Sequence, residues 1–237
     1  MTVAEIMSFL ESKGSESIKK ILLKHGIKEP FYGVKIEFLK EIQKKVKTDY
    51  QLAKDLYATG NADAMYLAGL IADDAKMTPD DLQLWARQAV SNNISEYTVP
   101  WVATGNKYGY ELALTWIDSD DEQIAVIGWA TLLNWVSQKP DSELDLPVLR
   151  SLLKRVVNTI HTSPNRVRSV MNNFLISLGT YVAPLTDEVI AAAQIIGDVM
   201  VDKGDTACKV PRAEDFILKA KAKAKGTLGK KKKMVKC

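Results

Sequence analysis

Within EYTVPWVATGNKYGYE, residues 96–111, Tyr97 and Trp101 stand four apart, so on a helix they share one face. Two aromatic rings at that spacing can form a ledge on which exposed bases or sugars stack, or can pack between helices, and the spacing alone does not choose. Pro100 between them fits only the first turn of a helix, which makes Ser95 or Thr98 the expected cap. Lys35 follows the turn FYGV at an expected helix start, where free backbone amides and an ammonium group can meet a phosphate; an ordinary solvated lysine is the competing reading. Arg150, Lys154, Arg155, Arg166 and Arg168 fall in two consecutive helical stretches, as a strip for a phosphodiester backbone or as a solvated outer face. Asn172 and Asn173 interrupt an apolar helix, where asparagine needs hydrogen-bond partners if buried; they cap a bend or offer donors to phosphate and base edges. Trp85, Trp116, Trp129 and Trp135 lie in apolar stretches and are read as core.

The elements that must carry these side chains are helices. SESIKKILLKHG opens on a serine cap, closes at Gly26 and sets Ile18, Ile21 and Leu22 in one stripe. GVKIEFLKEIQKKVK repeats the pattern with Ile36, Leu39, Ile42 and Val46, and TPDDLQLWARQ places Pro79 in a first turn. Roughly a dozen such stretches follow one another with connections of a few residues, as expected of adjacent antiparallel helices. They come in pairs spaced about 35–45 residues apart, a period that points to an all-α solenoid of HEAT-like or armadillo-type paired antiparallel helices, with a compact irregular bundle as the competing architecture.

Composition narrows the function classes. The apolar share of 46% and charged share of 26% are those of an ordinary globular chain, and no apolar run approaches a membrane span. Acidic residues in MTVAEIMSFLESKGSE argue against an export signal, so a reduced cytoplasmic protein is expected. With His25, His161, Cys208 and Cys237 scattered along the chain, neither a metal site nor a cofactor is expected. Residues 217–237 hold nine lysines and no acid, leaving 23 basic against 29 acidic residues in the rest. The expected division is therefore a helical-repeat domain over 1–218 and a lysine-rich tail over 219–237, with GKKKKMVKC read as disordered. Five tail lysines on phosphates would give a log–log salt slope of about −4.5, at roughly 0.9 per contact. The tail therefore points to DNA through Lys230, Lys231, Lys232 and Lys233, with a solubilising or intramolecularly engaged tail as the alternative.

Four stretches in order, KEPFYGVKIEFLKEI, EYTVPWVA, GYELALTWIDSDDEQIAVIGWATL and GDTACKVPRAEDF, resemble the AlkD-like family of DNA alkylation repair proteins, HEAT-like repeat DNA glycosylases and their non-catalytic relatives. The resemblance runs from about residue 5 to the terminus. In active members a tryptophan is followed four residues later by an aspartate, with an arginine and a second tryptophan from the next repeats. A carboxylate beside the sugar stabilises the cation left when an alkylated purine departs, and aromatic faces hold that cation. Set on this chain, the acid position falls on Trp101 or Gly105, the arginine near Val126 and the second tryptophan near Asn173, so the resemblance implies a branch without the usual catalytic aspartate. Glu96 is the one candidate for a relocated acid.

Three readings follow. The first is a monomeric DNA-binding member of this family that recognises damaged, branched or distorted duplex through backbone and shape, using Lys35, Tyr97, Trp101, Arg166, Arg168, Asn172, Asn173 and the tail lysines. The second is an alkylpurine DNA glycosylase acting through Glu96. The third is a helical protein-interaction scaffold.

Overall fold

A computed structural model describes residues 1–204, 209–224, 229–234 and 236. Cys208, Cys237 and part of the GDTACKVP motif lie outside them. Among the described residues every regular element is helical, and the chain divides into two compact units.

Among the described residues the first unit takes in 1–112, 203–204 and 236. It begins with α1 (Val3–Ser12), α2 (Glu16–Lys24), α3 (Ile36–Val46), α4 (Tyr50–Ala58), α5 (Ala62–Ile71) and α6 (Pro79–Gln88). A π-helical turn, Ile94–Thr98, leads into α7 (Val99–Thr104), and α8 (Gly109–Trp116) starts here. Local chemistry fixes several starts. Thr2 with Glu5 and Thr78 with Asp81 close reciprocal capping boxes, and Pro79 takes the first helical position that its missing N–H suits. All ten residues of α5, ADAMYLAGLI, are buried, so this helix is the axis of the unit, with α3, α4 and the π turn packed around it. Beside it Tyr57 stacks on Trp85 with ring centroids 4.0 Å apart, and its hydroxyl donates to the Trp85 carbonyl at 2.7 Å. Burial raises the Tyr57 pKa, so the phenol stays a donor.

Among the described residues the second unit takes in 113–202, 209–224 and 229–234. It contains the end of α8, then α9 (Glu122–Gln138), α10 (Leu146–Thr159), α11 (Asn165–Tyr181), α12 (Thr186–Ile196) and α13 (Ala213–Lys223). The apolar helices α9 and α11 pack along each other, with Trp129 set edge-on against Phe174 at 5.2 Å. Gly128 lets α9 approach the Ala113–Ile117 backbone: a Cβ there would stand 2.7 Å from the Ile117 nitrogen, closer than real Cβ contacts come.

Three local expectations change. Ser15 occupies the N-cap of α2, but its hydroxyl faces Ser17 Oγ at 3.0 Å and caps no amide. Trp135 is only half-buried, with Lys139 Nζ 4.6 Å from its ring centroid, so it is not the core residue its apolar stretch predicts. Neither Ser95 nor Thr98 caps a helix at Pro100. The helical path already begins before Ile94 and accommodates the proline by widening into the π turn, with Val99 N–H bonding Ile94 O five residues back.

Candidate nucleic-acid interface

That π turn sorts the aromatic ledge into two roles. Tyr97 projects outward and is 50% exposed, whereas Trp101 is 3% exposed and lies behind it, ring centroids 5.9 Å apart. Tyr66 from α5 meets Trp101 edge-on at 5.3 Å. Trp101 therefore acts as the backing of Tyr97, and the expectation that both rings face a ligand is corrected: turning by one wide residue carries Trp101 into the core. The remainder of EYTVPWVATGNKYGYE is a joint. Asn106 Nδ2 donates to the Asp74 and Met77 carbonyls at 2.6 and 2.8 Å, and its Oδ1 accepts from the Tyr108 amide. Gly109 presses so close to the Ala103 carbonyl that a Cβ would overlap it.

Tyr97 stands at the edge of an open cleft of about 530 Å³. Ile18 and Leu22 of α2 form one wall, and Val34, Ile36 and Leu39 form another. The floor is Ala62, Asp63 and Tyr66 of α5, and Asn93 and Tyr97 close the side. Lys35, the N-cap of α3, joins this lining and is well exposed, loosely paired with Glu37 at 3.7 Å. Lys35 and Tyr97, far apart in sequence, are brought by the fold to one cleft. The apolar stripe of α2 shows why the cleft stays open, since none of its residues is fully buried and Ile21 is 52% exposed.

Asp63 supports the cleft from beneath. Its Oδ2 accepts the Tyr32 and Gly33 amides at 2.7 and 3.1 Å, and its Oδ1 accepts the Val34 amide at 3.3 Å. Burial raises its pKa, opposed by those amides and by Lys19. Nothing in the pattern NADAMYLAGLI marks this aspartate as the tether of a loop thirty residues upstream. A second carboxylate missed in the sequence is Asp74. It packs against Gly105, one of the two positions where the family acid is expected, and a Cβ on that glycine would collide with it. Burial pushes Asp74 up to about 6 against the pull of Lys236, whose Nζ lies 2.5 Å away and also donates to the Ala72 carbonyl at 3.3 Å. Glu96 is half-buried on the π turn, outside the cleft lining.

In the second unit the basic strip is largely committed to protein partners. Arg150 grips Glu188 in a two-pronged pair, Nε to Oε2 at 3.0 Å and Nη2 to Oε1 at 2.9 Å. Arg155 holds Asp118 at 2.5 Å and the Ile117 carbonyl at 2.7 Å. Arg166 and Arg168 are half-buried at the start of α11, where the Arg166 amide is satisfied by Glu122 at 2.6 Å. Asn172 is 1% exposed and donates to the Pro211 carbonyl at 2.9 Å, which makes it a tie to the segment before α13 and corrects its reading as a DNA donor. Asn173, beside it, is half-buried.

The tail departs from the free chain its composition predicts. Lys231 Nζ sits among the Tyr181 carbonyl at 2.5 Å, the Val136 carbonyl at 3.0 Å and the Asp141 carboxylate at 2.7 Å, and is 16% exposed. It thereby satisfies orphan carbonyls at the C-terminal ends of α9 and α11, where a cation also suits the helix dipole. The Lys232 amide donates to Ser137 O at 2.8 Å and its Nζ lies 5.3 Å from the Tyr181 ring centroid; the residue is exposed overall, and partial desolvation of its ammonium lowers its pKa. Lys230 and Lys233 are exposed. Among the described residues no group of three or more His, Cys, Asp or Glu side chains could hold a metal, and no single helix is long and apolar enough to cross a membrane.

Comparison with known proteins places this geometry. A family model described as DNA alkylation repair enzyme matches residues 6–195. An uncharacterized protein of Listeria monocytogenes is 31% identical over 231 residues, covering 95% of this chain and 100% of the relative. An uncharacterized protein of Listeria innocua is 30% identical over 227 residues, covering 93% and 98%. A solved structure, described as a new family of proteins related to the HEAT-like repeat DNA glycosylases with affinity for branched DNA structures, matches with a TM-score of 0.91 and 34% identity over 100% of both chains. The all-α, HEAT-like architecture expected from the helical pairing is therefore the observed one.

Proposed function

The chain belongs to the DNA alkylation repair family, and from that premise we propose that it is a DNA-binding protein that recognises branched or distorted duplex through backbone and shape. The observation that carries the reading is the full-length likeness to a structure from a family with affinity for branched DNA structures. Both positions where the family acid is expected lack a carboxylate of their own: Trp101 is buried behind Tyr97, and Gly105 is backed by Asp74 in its ion pair. That supports binding in place of base excision. Lys35, Arg166, Arg168, Lys230 and Lys233 are the proposed phosphate contacts, which set position without reading sequence, and Tyr97 is the exposed aromatic contact. The protein acts in the cytoplasm as a monomer and needs neither metal nor cofactor.

The test measures binding to four-way, three-way, nicked and linear duplexes across a salt series, alongside release of N7-methylguanine and N3-methyladenine. We expect branched DNA to bind at least about tenfold tighter than linear duplex, with affinity falling as salt rises and no base released. Equal affinity for all four DNAs would refute the shape reading. Release that Glu96→Gln abolishes would move the chain to the glycosylase reading instead.

A further inference from the structure

We infer that the cleft between α2, α3, α5 and the π turn is a pocket for one unpaired nucleotide, its base inserted among Leu22, Ile36 and Leu39 and held against Tyr97. This inference rests on the DNA-binding reading and adds a ligand site to it. The volume of about 530 Å³ falls within the range of ligand clefts, roughly 300–1,000 Å³. The walls are apolar, which suits the faces of a planar base and not a charged metabolite. Tyr97 is the only wall residue whose ring is both half exposed and braced from behind, by Trp101 and through it by Tyr66. A braced ring presents a flat surface without losing rotamer freedom on binding, and base–aromatic stacking is tolerant of sequence because every base has a π-face.

The polar groups at the cleft complete the match. Asn93 lines the cleft and accepts the Ser91 hydroxyl with its Oδ1 at 2.6 Å, so its amide N–H groups are what it can offer to a base edge. Lys35 supplies one cation at the rim, in a loose, exposed pair with Glu37 at 3.7 Å that the nucleotide's phosphate would replace. Asp63 is occupied by three amides of the 32–34 loop, so it shapes the floor and does not set a competing anion before that phosphate. An apolar slot beside an aromatic face with a single cation at its edge fits a nucleotide better than an acidic peptide or a fatty chain. Extrusion into such a pocket costs least for a base that is already unpaired, and branch points supply such bases.

The test places 2-aminopurine as the one unpaired nucleotide at the branch of a three-way duplex and as the central base of a single-stranded thymidine pentamer. Each is titrated with the full chain and with Tyr97→Ala, Leu22→Trp and Ile36→Trp. Stacking on Tyr97 quenches the probe in the wild type, and filling the cleft with either tryptophan, or removing the tyrosine, abolishes the quench. Leu22→Trp and Ile36→Trp keep binding of a fully paired branch within about twofold. Ile36 is 46% exposed, so this variant alters the mouth without touching the core and covers the case in which Leu22→Trp fails to fold. A quench in either probe that the cleft-filling variants remove supports the pocket, even if branched duplex is not preferred over linear; that result alone would refute the proposed function. No quench in either probe, or a quench that persists in both tryptophan variants, overturns the pocket while branched-DNA binding can stand unchanged.

Discussion

Lys231→Ala separates a structural tail from a DNA-gripping one. The lost ammonium serves Tyr181 O at 2.5 Å, Val136 O at 3.0 Å and Asp141 at 2.7 Å. A hydrogen bond involving a charged group contributes about 1.5–3 kcal/mol net, and breaking a buried ion pair costs about 3–5 kcal/mol. The Asp141 side chain is 33% exposed, so water rehydrates part of what alanine abandons. We therefore place the loss at about 3 kcal/mol, below the sum of two charged hydrogen bonds and one ion pair. At about 2–4 °C per kcal/mol for a chain of this size, the thermal midpoint falls by roughly 10 °C. Lys230→Ala, at an exposed site, stays within about ±0.5 kcal/mol, and if its ammonium meets a phosphate the salt slope of DNA binding drops by about 0.9. Calorimetric melting of both variants, paired with binding to branched DNA at several salt concentrations, makes the comparison. A Lys231→Ala protein that melts with the wild type but loses DNA affinity would refute the reasoning, because its ammonium would then be reserved for phosphate.

Other outcomes follow from named contacts. Burial alone would raise Asp81, yet Lys54 at 2.7 Å, the Thr78 amide and the Tyr50 hydroxyl hold it near 2, below its ordinary 3.8. A lowered pKa means that this stabilisation is present above pH ~4 and is lost as pH falls through ~2; the two values convert to about 2 kcal/mol. Urea unfolding from pH 5 to 2 should show that loss in the wild type and a flatter profile in Asp81→Asn, and parallel profiles would contradict it. Asn172→Ala leaves the Pro211 carbonyl unpaired and should cost about 1–3 kcal/mol, with DNA affinity of the folded protein unchanged; a selective loss of DNA affinity without a melting change would restore Asn172 as a DNA contact. Gly109→Ala forces a methyl onto the Ala103 carbonyl and should cost about 1–3 kcal/mol in denaturant melts, an unchanged midpoint counting against the close approach.

The helical repeat was legible because its signals are local. Caps such as Thr78 with Asp81, the first-turn Pro79, and apolar stripes recurring every three or four residues act within one or two turns. The candidate site was legible only in parts. Lys35 and Tyr97 stood out by type and position, but Trp101 turned inward because the path into Pro100 widens to a π turn, a change of one residue per turn that periodicity cannot register.

Charge shows the same boundary. Nine lysines without an acid are a compositional fact of residues 217–237, and composition predicts a free polycation. Lys231 and Lys236 are held instead by carbonyls and carboxylates from other parts of their own units, at Val136, Asp141, Tyr181, Ala72 and Asp74. The sequence by itself determined the helices, their pairing and the family resemblance, since each depends on side chains a few residues apart or on motif order. Only the tertiary structure decided which aromatic faces solvent, which carboxylates tether loops and which lysines are spent, because those outcomes depend on groups from distant helices converging within hydrogen-bond reach, and neither spacing nor net charge encodes that convergence.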